Sequence, residues 1–362
     1  MIEKLIRKEV KNLLIYEPGK PLEEVKRELG LKEVIKLASN ENALGPSPLA
    51  VQALQDALNN IHLYPEGGGY YLRRKLARKY GLDISEILLG NGSDEIIRMI
   101  VETFLNPGEE IITGDPAFVI YKIACEAMGG ECICVPLKNF TFDLEAMLEK
   151  ITDKTKLIFI ANPNNPTGTM VEEKEVEEFL RRVPPGILVV FDEAYYEYIE
   201  REDYPDNLKR IQRGEPVIVL RTFSKIYGLA GLRIGYCMAS GEVVSALNRV
   251  RQPFNTNSLA QTAAFFALDD EEHIRKSREM VKEGKKYLYG EFERMGWAFV
   301  PSEANFILLN VGKKGRSVFQ ELLRKGVIVR AMDGYGLPDW IRVTVGTPQE
   351  NEKLMQALIS CV

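Results

Sequence analysis

Short apolar runs rich in β-branched residues alternate with amphipathic helical patterns through the middle of the chain. Five of these runs predict strands, at residues 86–90, 110–114, 156–162, 187–192 and 216–223. Between the third and fourth runs, Val176, Phe179 and Val183 recur at helical spacing within residues 171–183. Apolar strands joined by crossover helices indicate a mostly parallel sheet covered by helices on both sides. A large α/β domain is therefore predicted over residues 45–255.

The C-terminal part of the chain has a different pattern. One long helical pattern covers about 259–296, and strand-like runs follow at 305–311, 327–332 and 340–346. Thr347 and Glu350 then have the spacing of a capping box, which predicts the start of a last helix. We expect residues 256–362 to form a smaller α+β domain, to which residues 1–44 add an N-terminal arm.

Length and charge exclude several classes of protein. A chain of 362 residues exceeds what one hydrophobic core usually serves, so two domains are expected. A net charge of −5 and an isoelectric point near 5.5 argue against nucleic acid or an anionic membrane as the partner. No uncharged apolar run of about 18 residues occurs, and the charged N-terminal segment lacks the apolar centre of a signal peptide. We therefore expect a cytoplasmic protein without a membrane partner.

Cysteine and histidine do not predict a metal site. The chain has two histidines and five cysteines, and none of the cysteines forms a CxxC pair. Without a signal segment, the thiols are expected to be reduced and mostly buried. Cys132 and Cys134 would share one face of a strand, where packing is the favoured role. Catalysis is therefore expected to depend on other side chains.

Lys225 lies in an unusual place for a lysine. It follows a strand-like run and precedes small apolar residues in VLRTFSKIYGLAGLRIGY, residues 219–236. A lysine without a specific role normally keeps its ammonium in water. A buried lysine tends to lose its proton, and the neutral amine is a nucleophile toward carbonyl groups.

Other polar residues also fall at the carboxyl ends of predicted strands, where parallel sheets bind ligands. In the turn within residues 87–100, backbone N–H groups near Ser93 and Asp94 could hold a phosphate, although a simple helix cap explains the turn equally well. Asp192 ends an apolar strand, and Tyr195 lies three residues further on. Capping of the next helix is the common role for an isolated aspartate there.

Two further segments present polar side chains. The turn formed by NPNNPTG, residues 162–168, presents Asn165, with a structural loop as the alternative. Strand alternation places Trp340, Arg342 and Thr344 on one face. Arg342 could bind a carboxylate or phosphate in a cleft, or could lie in solvent on an edge strand.

Taken together, these residues suit a phosphorylated aldehyde cofactor. The amine of Lys225 can form a Schiff base and Asp192 can pair with a pyridinium nitrogen, which predicts pyridoxal 5′-phosphate. A nicotinamide-dependent dehydrogenase is a hypothesis of another class. It has the strand–helix pattern and the turn at Gly92 in its favour, but it leaves Lys225 and residues 162–168 without a role.

At this point the chain resembles the aspartate aminotransferase superfamily of pyridoxal-phosphate enzymes. The motifs are NGSDE (91–95), NPNNPTG (162–168), DEAYYEY (192–198), TFSK (222–225), GLRIGY (231–236) and IRVTVGT (341–347). Within it, residues 36–48, 63–68, 221–236 and 329–347 resemble the histidinol-phosphate aminotransferase branch. That branch exchanges an amino group between L-histidinol phosphate and 2-oxoglutarate in histidine biosynthesis. Aromatic-amino-acid aminotransferases and threonine-phosphate decarboxylase share much of the pattern and stay open as alternatives.

The resemblance implies roles around the cofactor ring. Lys225 forms the Schiff base and then moves the proton between the substrate's Cα and the cofactor. Asp192 keeps the pyridine nitrogen protonated. Asn165 and Tyr195 bind the ring hydroxyl, and Phe118 stacks on the ring.

The resemblance also implies a phosphate site and a homodimer with shared active sites. The residues that hold the cofactor phosphate are Ser93, Asp94, Thr222, Ser224 and Arg233. Tyr64 is similar to the family tyrosine that reaches the phosphate in the neighbouring subunit.

For the small-molecule substrates, Arg342 would bind the carboxylate of glutamate and, with Arg330, the substrate phosphate. Tyr16 resembles a residue that closes over the substrate. The family often has proline where this chain has Ala43, which concerns only the conformation of that loop.

Overall fold

Helices and strands alternate along the chain in the computed structural model, which describes residues 2–15 and 19–362. The strands are β1 Ile35–Lys36, β2 Ile87–Gly90, β3 Glu110–Asp115, β4 Glu131–Pro136, β5 Thr155–Ala161, β6 Leu188–Asp192, β7 Val217–Thr222, β8 Gly235–Met238, β9 Phe299–Val300, β10 Phe306–Asn310, β11 Val327–Ile328, β12 Arg330–Ala331 and β13 Trp340–Thr344. The helices are α1 Leu22–Leu29, α2 Pro48–Ala57, α3 Tyr70–Tyr80, α4 Ser93–Phe104, α5 Ile120–Ala127, α6 Leu144–Glu149, α7 Glu173–Arg182, α8 Asn207–Gln212, α9 Gly241–Leu247, α10 Ser258–Ala267, α11 Glu271–Arg294, α12 Gly315–Arg324 and α13 Pro348–Ile359. None of the helices in this described part of the chain combines the length and apolar character that a membrane span needs.

A seven-stranded sheet forms the centre of the larger unit. Its strand order is β2-β8-β7-β6-β5-β3-β4. Neighbouring strands are parallel from β7 to β4, and β8 is antiparallel to both of its neighbours, β2 and β7. The predicted mostly parallel sheet is therefore confirmed.

Burial on both faces explains why the strands of this sheet are apolar without alternation. Every residue of β2, β7 and β8 is buried, as expected for strands covered by helices on both sides. The predicted helix at 171–183 is α7, which buries Val176 and Phe179. Because β5, β6 and β7 are parallel, their carboxyl ends bring Ala161, Asp192 and Thr222 to one edge of the sheet.

Two smaller sheets belong to the C-terminal part of the chain. An antiparallel sheet has the order β12-β13-β10-β9, and β1 pairs in parallel with β11. The second pairing ties the N-terminal segment to the C-terminal unit. The predicted capping box at the start of α13 is present, with Thr347 and Glu350 bonding each other's backbone N–H. Helix α10 packs against α2 and α3, and the boundaries predicted for the two domains stay a prediction.

Two element predictions were wrong in detail. The single helix predicted over 259–296 is two helices, α10 and α11, because the side chain of Asp270 caps a new helix by accepting from the backbone N–H of His273, at 3.2 Å. The strand predicted over 327–332 is also two, since β11 pairs with β1 whereas β12 pairs with β13. The strands β1, β8 and β9 were not predicted.

Candidate active site

A cleft opens at the carboxyl ends of the central strands, and residues of both the central sheet and the antiparallel sheet line it. It brings together twelve of the residues selected from the sequence, which are Ser93, Asp94, Phe118, Asn165, Asp192, Tyr195, Thr222, Ser224, Lys225, Arg233, Arg330 and Arg342. These residues come from segments far apart in the chain. Their convergence at one edge is the consequence of parallel strand order.

Lys225 enters the cleft three residues after the end of β7. Its Nζ donates to the carbonyl oxygen of Ser39 at 3.3 Å and lies 5.5 Å from the centre of the Tyr195 ring. Burial, and next the positive charge of Arg342, lower the pKa of the Lys225 amine to about 8. About a tenth of the amine is therefore unprotonated at pH 7, and this neutral form is a nucleophile toward a carbonyl group.

Asp192 ends β6 and is almost completely buried. The hydroxyl of Tyr121 donates to its Oδ2 at 2.7 Å, and the backbone N–H of Ala194 donates to its Oδ1 at 3.2 Å. Burial raises the pKa of the Asp192 carboxyl to about 6, although these two hydrogen bonds act in the opposite direction. The group is thus an anion near neutral pH that would be stabilised by a cation inside the cleft.

Tyr195 is held by the N-terminal segment. Nδ2 of Asn40 donates to the phenolic oxygen at 2.9 Å, and the backbone N–H of Asn40 donates to Oγ1 of Thr344 on β13, at 2.9 Å. Asn40 has a φ of 55°, a left-handed conformation that asparagine tolerates better than most residues. Burial raises the pKa of Tyr195, so that its phenol stays a hydrogen-bond donor.

Arginines of the antiparallel sheet close another side of the cleft. Nη1 of Arg342 is hydrogen-bonded to Oδ1 of Asn165, and Nη2 donates to the carbonyl of Ala38 at 2.8 Å. Arg330 on β12 lies directly opposite Arg342 on β13. Directly opposed residues project from the same face of a sheet, so two guanidinium groups line one wall.

An anion cradle lies where α4 begins. Nη2 of Arg233 is 3.3 Å from Oδ2 of Asp94, and Nη1 donates to Oγ of Ser224 at 3.4 Å. A Cβ atom on Gly92, whose φ is 81°, would clash with the Arg233 guanidinium, and one on Gly235 would lie 2.7 Å from the backbone nitrogen of Ser93. These glycines keep open the space in front of a helix N-terminus, which is an arrangement that favours phosphate.

A turn before α2 supports the segment that carries Lys225. Nδ2 of Asn42 donates to the carbonyl of Ile226 and to Oγ of Ser277, both at 2.8 Å. Oδ1 of Asn42 accepts from the backbone N–H of Leu44 at 3.0 Å. The turn is therefore formed with Ala43 in place of the family's proline.

Among the predicted site residues that the structure describes, Tyr64 is not one of those that line the cleft. Tyr64 is 82% exposed and stacks on Phe254, with the ring centres 4.7 Å apart. Tyr16 lies outside the described residues. The roles given to both remain predictions.

Sequence reasoning missed several residues that line the cleft, among them Asn40, Tyr121 and Tyr335. Asn40 lies in the stretch 36–48 that carries the resemblance, which was the available signal. Tyr121 is on α5 and contacts a carboxylate 71 positions away in the chain. No local pattern could have identified it.

The donors in the cleft fit a phosphorylated aromatic aldehyde. The amine of Lys225 suits the aldehyde, the carboxylate of Asp192 suits a ring cation, and the phenol of Tyr195 suits a ring oxygen. Arg233 and the start of α4 suit the phosphate. The ring of Phe118 supplies an aromatic wall, edge-on to Tyr121 at 5.8 Å between ring centres.

Along nearly its whole length the chain is similar to aminotransferases. The family model described as aminotransferase class I and II matches residues 32–358. The histidinol-phosphate aminotransferase of Moorella thermoacetica is 54% identical over 353 residues, which are 97% of this chain and 92% of that protein.

Solved structures of aminotransferases are also similar to this chain. The histidinol-phosphate aminotransferase of Sinorhizobium meliloti in complex with pyridoxal-5′-phosphate is 26% identical, with a TM-score of 0.90 over 99% of this chain and 98% of that chain. The aspartate aminotransferase of Thermus thermophilus with maleate is 22% identical, with a TM-score of 0.84 over 98% of each chain. The second likeness concerns the fold alone, and it confirms the predicted aspartate aminotransferase-like architecture.

Proposed function

The chain belongs to the class I and II aminotransferases and, within them, to the histidinol-phosphate aminotransferases, and on this premise we propose which of its residues carry the reaction. It exchanges the amino group between L-histidinol phosphate and 2-oxoglutarate in L-histidine biosynthesis, with pyridoxal 5′-phosphate as cofactor. The relatives do not favour the alternatives, which were an aromatic-amino-acid aminotransferase, threonine-phosphate decarboxylase and a nicotinamide-dependent dehydrogenase.

The observation that carries the residue assignment is the environment of Lys225. Its amine has a pKa lowered to about 8 and lies in a cleft that also holds a buried carboxyl group and a phosphate cradle. When bound, pyridoxal phosphate supplies an aldehyde that an amine can attack and a conjugated ring that withdraws electrons from the substrate's α-carbon. We assign Lys225 to the covalent attachment.

We assign Lys225 a second task as a free amine. It would remove a proton from the substrate's α-carbon and would carry that proton to the cofactor. A pKa of about 8 suits this exchange, because proton transfer is most efficient when the base titrates near the working pH.

Asp192 holds the proton on the ring nitrogen. Its carboxyl group would be ionised beside a ring cation, since an opposite charge within a few ångströms lowers the pKa of a carboxyl. The hydrogen bond from Tyr121 supports the same ionised form and fixes the direction of the carboxylate. Tyr121 is therefore assigned as a positioning residue.

The remaining cleft residues bind and orient. Tyr195 and Asn165 hydrogen-bond the ring hydroxyl, and Phe118 covers one ring face. The phosphate is held by Ser93 and Asp94 at the start of α4, by Thr222 at the end of β7, and by Ser224 and Arg233, which follow β7. These assignments are supported by the convergence of the five residues at one cradle.

The arginine pair explains how one site accepts two different substrates. Arg342 binds the carboxylate of glutamate or 2-oxoglutarate, because a guanidinium can donate two parallel hydrogen bonds to it. With Arg330 on the same wall, the pair also suits the dianionic phosphate of histidinol phosphate. Tyr16 is assigned to closing over the substrate, by its resemblance to a family residue.

A second copy of the chain completes the site in this proposal. Tyr64 is strongly exposed and stacks on the exposed Phe254, and the exposed apolar residues Leu58, Ile61 and Leu63 precede it in the chain. Large apolar patches mark interaction surfaces, and closed two-fold dimers are the commonest oligomers. We assign Tyr64 to the cofactor phosphate in the neighbouring subunit of a homodimer. A cytoplasmic location is proposed from the biosynthetic step.

Half-reaction spectra test the substrate assignment. Histidinol phosphate should convert the cofactor's visible band to that of the amine form, and 2-oxoglutarate should restore it. Arg330→Ala should slow the half-reaction with histidinol phosphate more than that with glutamate, whereas exposed Arg181→Ala should change neither. An equally fast response to phenylalanine, or release of carbon dioxide from threonine phosphate, would contradict the assignment.

A further inference from the structure

Two cysteines lie side by side outside the active-site cleft. Cys132 and Cys134 project from one face of β4, with their Sγ atoms 3.7 Å apart. In the central sheet β4 is an edge strand that pairs with β3. Cys134 is exposed and Cys132 is partly exposed. Neither cysteine is buried.

The spacing of the two sulfurs decides what can join them. A disulfide needs the sulfurs about 2.05 Å apart and the Cα atoms within about 6.8 Å. Residues two apart on a strand are separated by about 6.6–6.8 Å, at the upper end of that range. An atom bonded to both sulfurs at about 2.3 Å, with the angle of about 100° of a three-coordinate pyramidal centre, would instead hold them about 3.5 Å apart. The pair is thus spaced for a bridging thiophilic atom.

The surroundings make one of the thiols reactive. The thiol of Cys132 donates a hydrogen bond that lowers the pKa of Cys134 to about 7, and the ammonium of Lys122 on α5 acts in the same direction. Partial burial and the nearby carboxylates of Asp115 and Glu126 oppose this change. About half of the Cys134 thiol is then ionised near neutral pH, and the thiolate is the form that attacks.

We propose that Cys132 and Cys134 form a two-thiol site that chelates trivalent arsenic compounds bearing one organic substituent. Such a compound in water carries two hydroxyl groups on arsenic. Each hydroxyl leaves as water with the proton of one thiol, and two As–S bonds replace two As–O bonds without any change of oxidation state.

The number of available ligands favours this class over a metal ion. Within residues 2–15 and 19–362, no group of three or more histidine, cysteine or acidic side chains is placed to hold a metal. A structural zinc ion takes four protein ligands, and a catalytic one takes three. An arsenical with a single organic substituent needs only the two sulfurs that β4 presents.

Phenylarsine oxide and intact-protein mass spectrometry test this proposal. The holoenzyme should take up one phenylarsenic group in the chelated form, which excess 2-mercaptoethanol leaves in place and dithiothreitol removes. Cys132→Ser and Cys134→Ser should each lose the adduct that resists the monothiol. Cys361→Ser, which removes a buried thiol elsewhere, should retain it.

The melting temperature of each variant, compared with that of the wild type, shows whether a variant that loses the adduct is still folded. A monothiol-resistant adduct that persists in either β4 variant would overturn the proposal, as would removal of the wild-type adduct by 2-mercaptoethanol. Failure of the aminotransferase assignment would leave this result unchanged, because neither cysteine lines the cleft.

Discussion

Asp192, which we assign to the cofactor's ring nitrogen, illustrates how a proposed site residue can lower the stability of the fold. The pKa of its carboxyl rises from 3.8 to about 6 in the folded, cofactor-free protein because burial disfavours the charge. A group whose pKa is raised on folding lowers stability as the pH climbs from the unfolded value through the folded value. The penalty is complete above pH 6, and a shift of this size corresponds to about 3 kcal/mol.

Asp192→Asn should therefore stabilise the cofactor-free protein at neutral pH. The amide has no charge to bury, and it can keep partners in Tyr121 and Ala194. The expected gain in the free energy of unfolding is up to about 3 kcal/mol at neutral pH, and it should shrink to nothing as the pH falls below 3.8. Denaturant titrations across this range measure it. A gain that does not depend on pH, or no gain, would refute the account of the buried charge.

Tyr121→Phe should change how cofactor binding depends on pH. The phenol stabilises the ionised form of Asp192, so its removal should raise the pKa of that carboxyl. A protonated carboxyl cannot pair with a protonated ring nitrogen. The pH below which cofactor affinity falls should therefore be higher in the variant, by about one unit if the lost bond contributes about 1.4 kcal/mol.

Titration of the cofactor-free protein with pyridoxal phosphate, followed by absorbance at several pH values, gives this midpoint. Tyr80→Phe is the control, since Tyr80 is a partly buried tyrosine with a 2.7 Å hydrogen bond, in this case to Tyr236. A parallel loss of affinity at all pH values in Tyr121→Phe would assign it a packing role instead.

At the scale of elements, the start of α4 depends on glycine for both its conformation and its open space. Gly92 has a φ of 81°, and a Cβ atom there would meet the Arg233 guanidinium. A side chain at position 92 would therefore both strain the backbone and disturb the phosphate cradle. A substitution at another glycine with a positive φ, far from the cradle, would cause the backbone strain alone.

Gly92→Ala should weaken cofactor binding by at least about tenfold, because displacing Arg233 removes a charge-assisted bond to the phosphate. Gly186→Ala is the control, since Gly186 has a φ of 93° and a Cβ atom on it would have no neighbouring atom within 4 Å. Both variants should lose about 1–2 kcal/mol of stability from the left-handed backbone. Equal cofactor affinities in the two variants would show that the cradle does not lie at Gly92.

The sequence predicted elements well where the signal was local. Apolar runs bounded by polar residues identified five strands of the central sheet, and the strand ends pointed to Asp192 and Lys225. The break between α10 and α11 was missed because helical periodicity continues across Asp270, whose capping role depends on its conformation. Asn40 was missed as a partner of Tyr195 because the two are 155 positions apart in the chain. Such contacts exist only after the segments have folded together.

At the scale of the whole molecule, the exposed position of Tyr64 requires an explanation. Its side chain is 82% exposed and lies against Phe254, away from the cleft residues. Stacked aromatic side chains left in solvent are a feature of interaction surfaces. In the proposed homodimer, a partner subunit covers them and Tyr64 lies near the neighbouring cofactor.

At a cofactor concentration too low to saturate pure Tyr64→Ala, mixed dimers of Lys225→Ala with Tyr64→Ala should be more active than either variant alone. In a mixed dimer, the subunit that retains Lys225 receives the intact Tyr64 from its partner, so one of the two sites is complete. Random mixing should restore up to about a quarter of wild-type activity. Sedimentation confirms the assembly. No recovery after confirmed subunit exchange would place Tyr64 outside the shared site.

We assign the covalent attachment of the cofactor to Lys225. Borohydride reduces an imine between an amine and an aldehyde to a stable secondary amine, which marks the residue permanently. Digestion of the reduced holoenzyme and mass spectrometry of its peptides should find the pyridoxyl group on Lys225 at about one per chain, and Lys225→Arg should yield no specific adduct. A specific adduct on another lysine, such as the buried Lys285, or an unmodified Lys225 in fully active enzyme, would contradict the account.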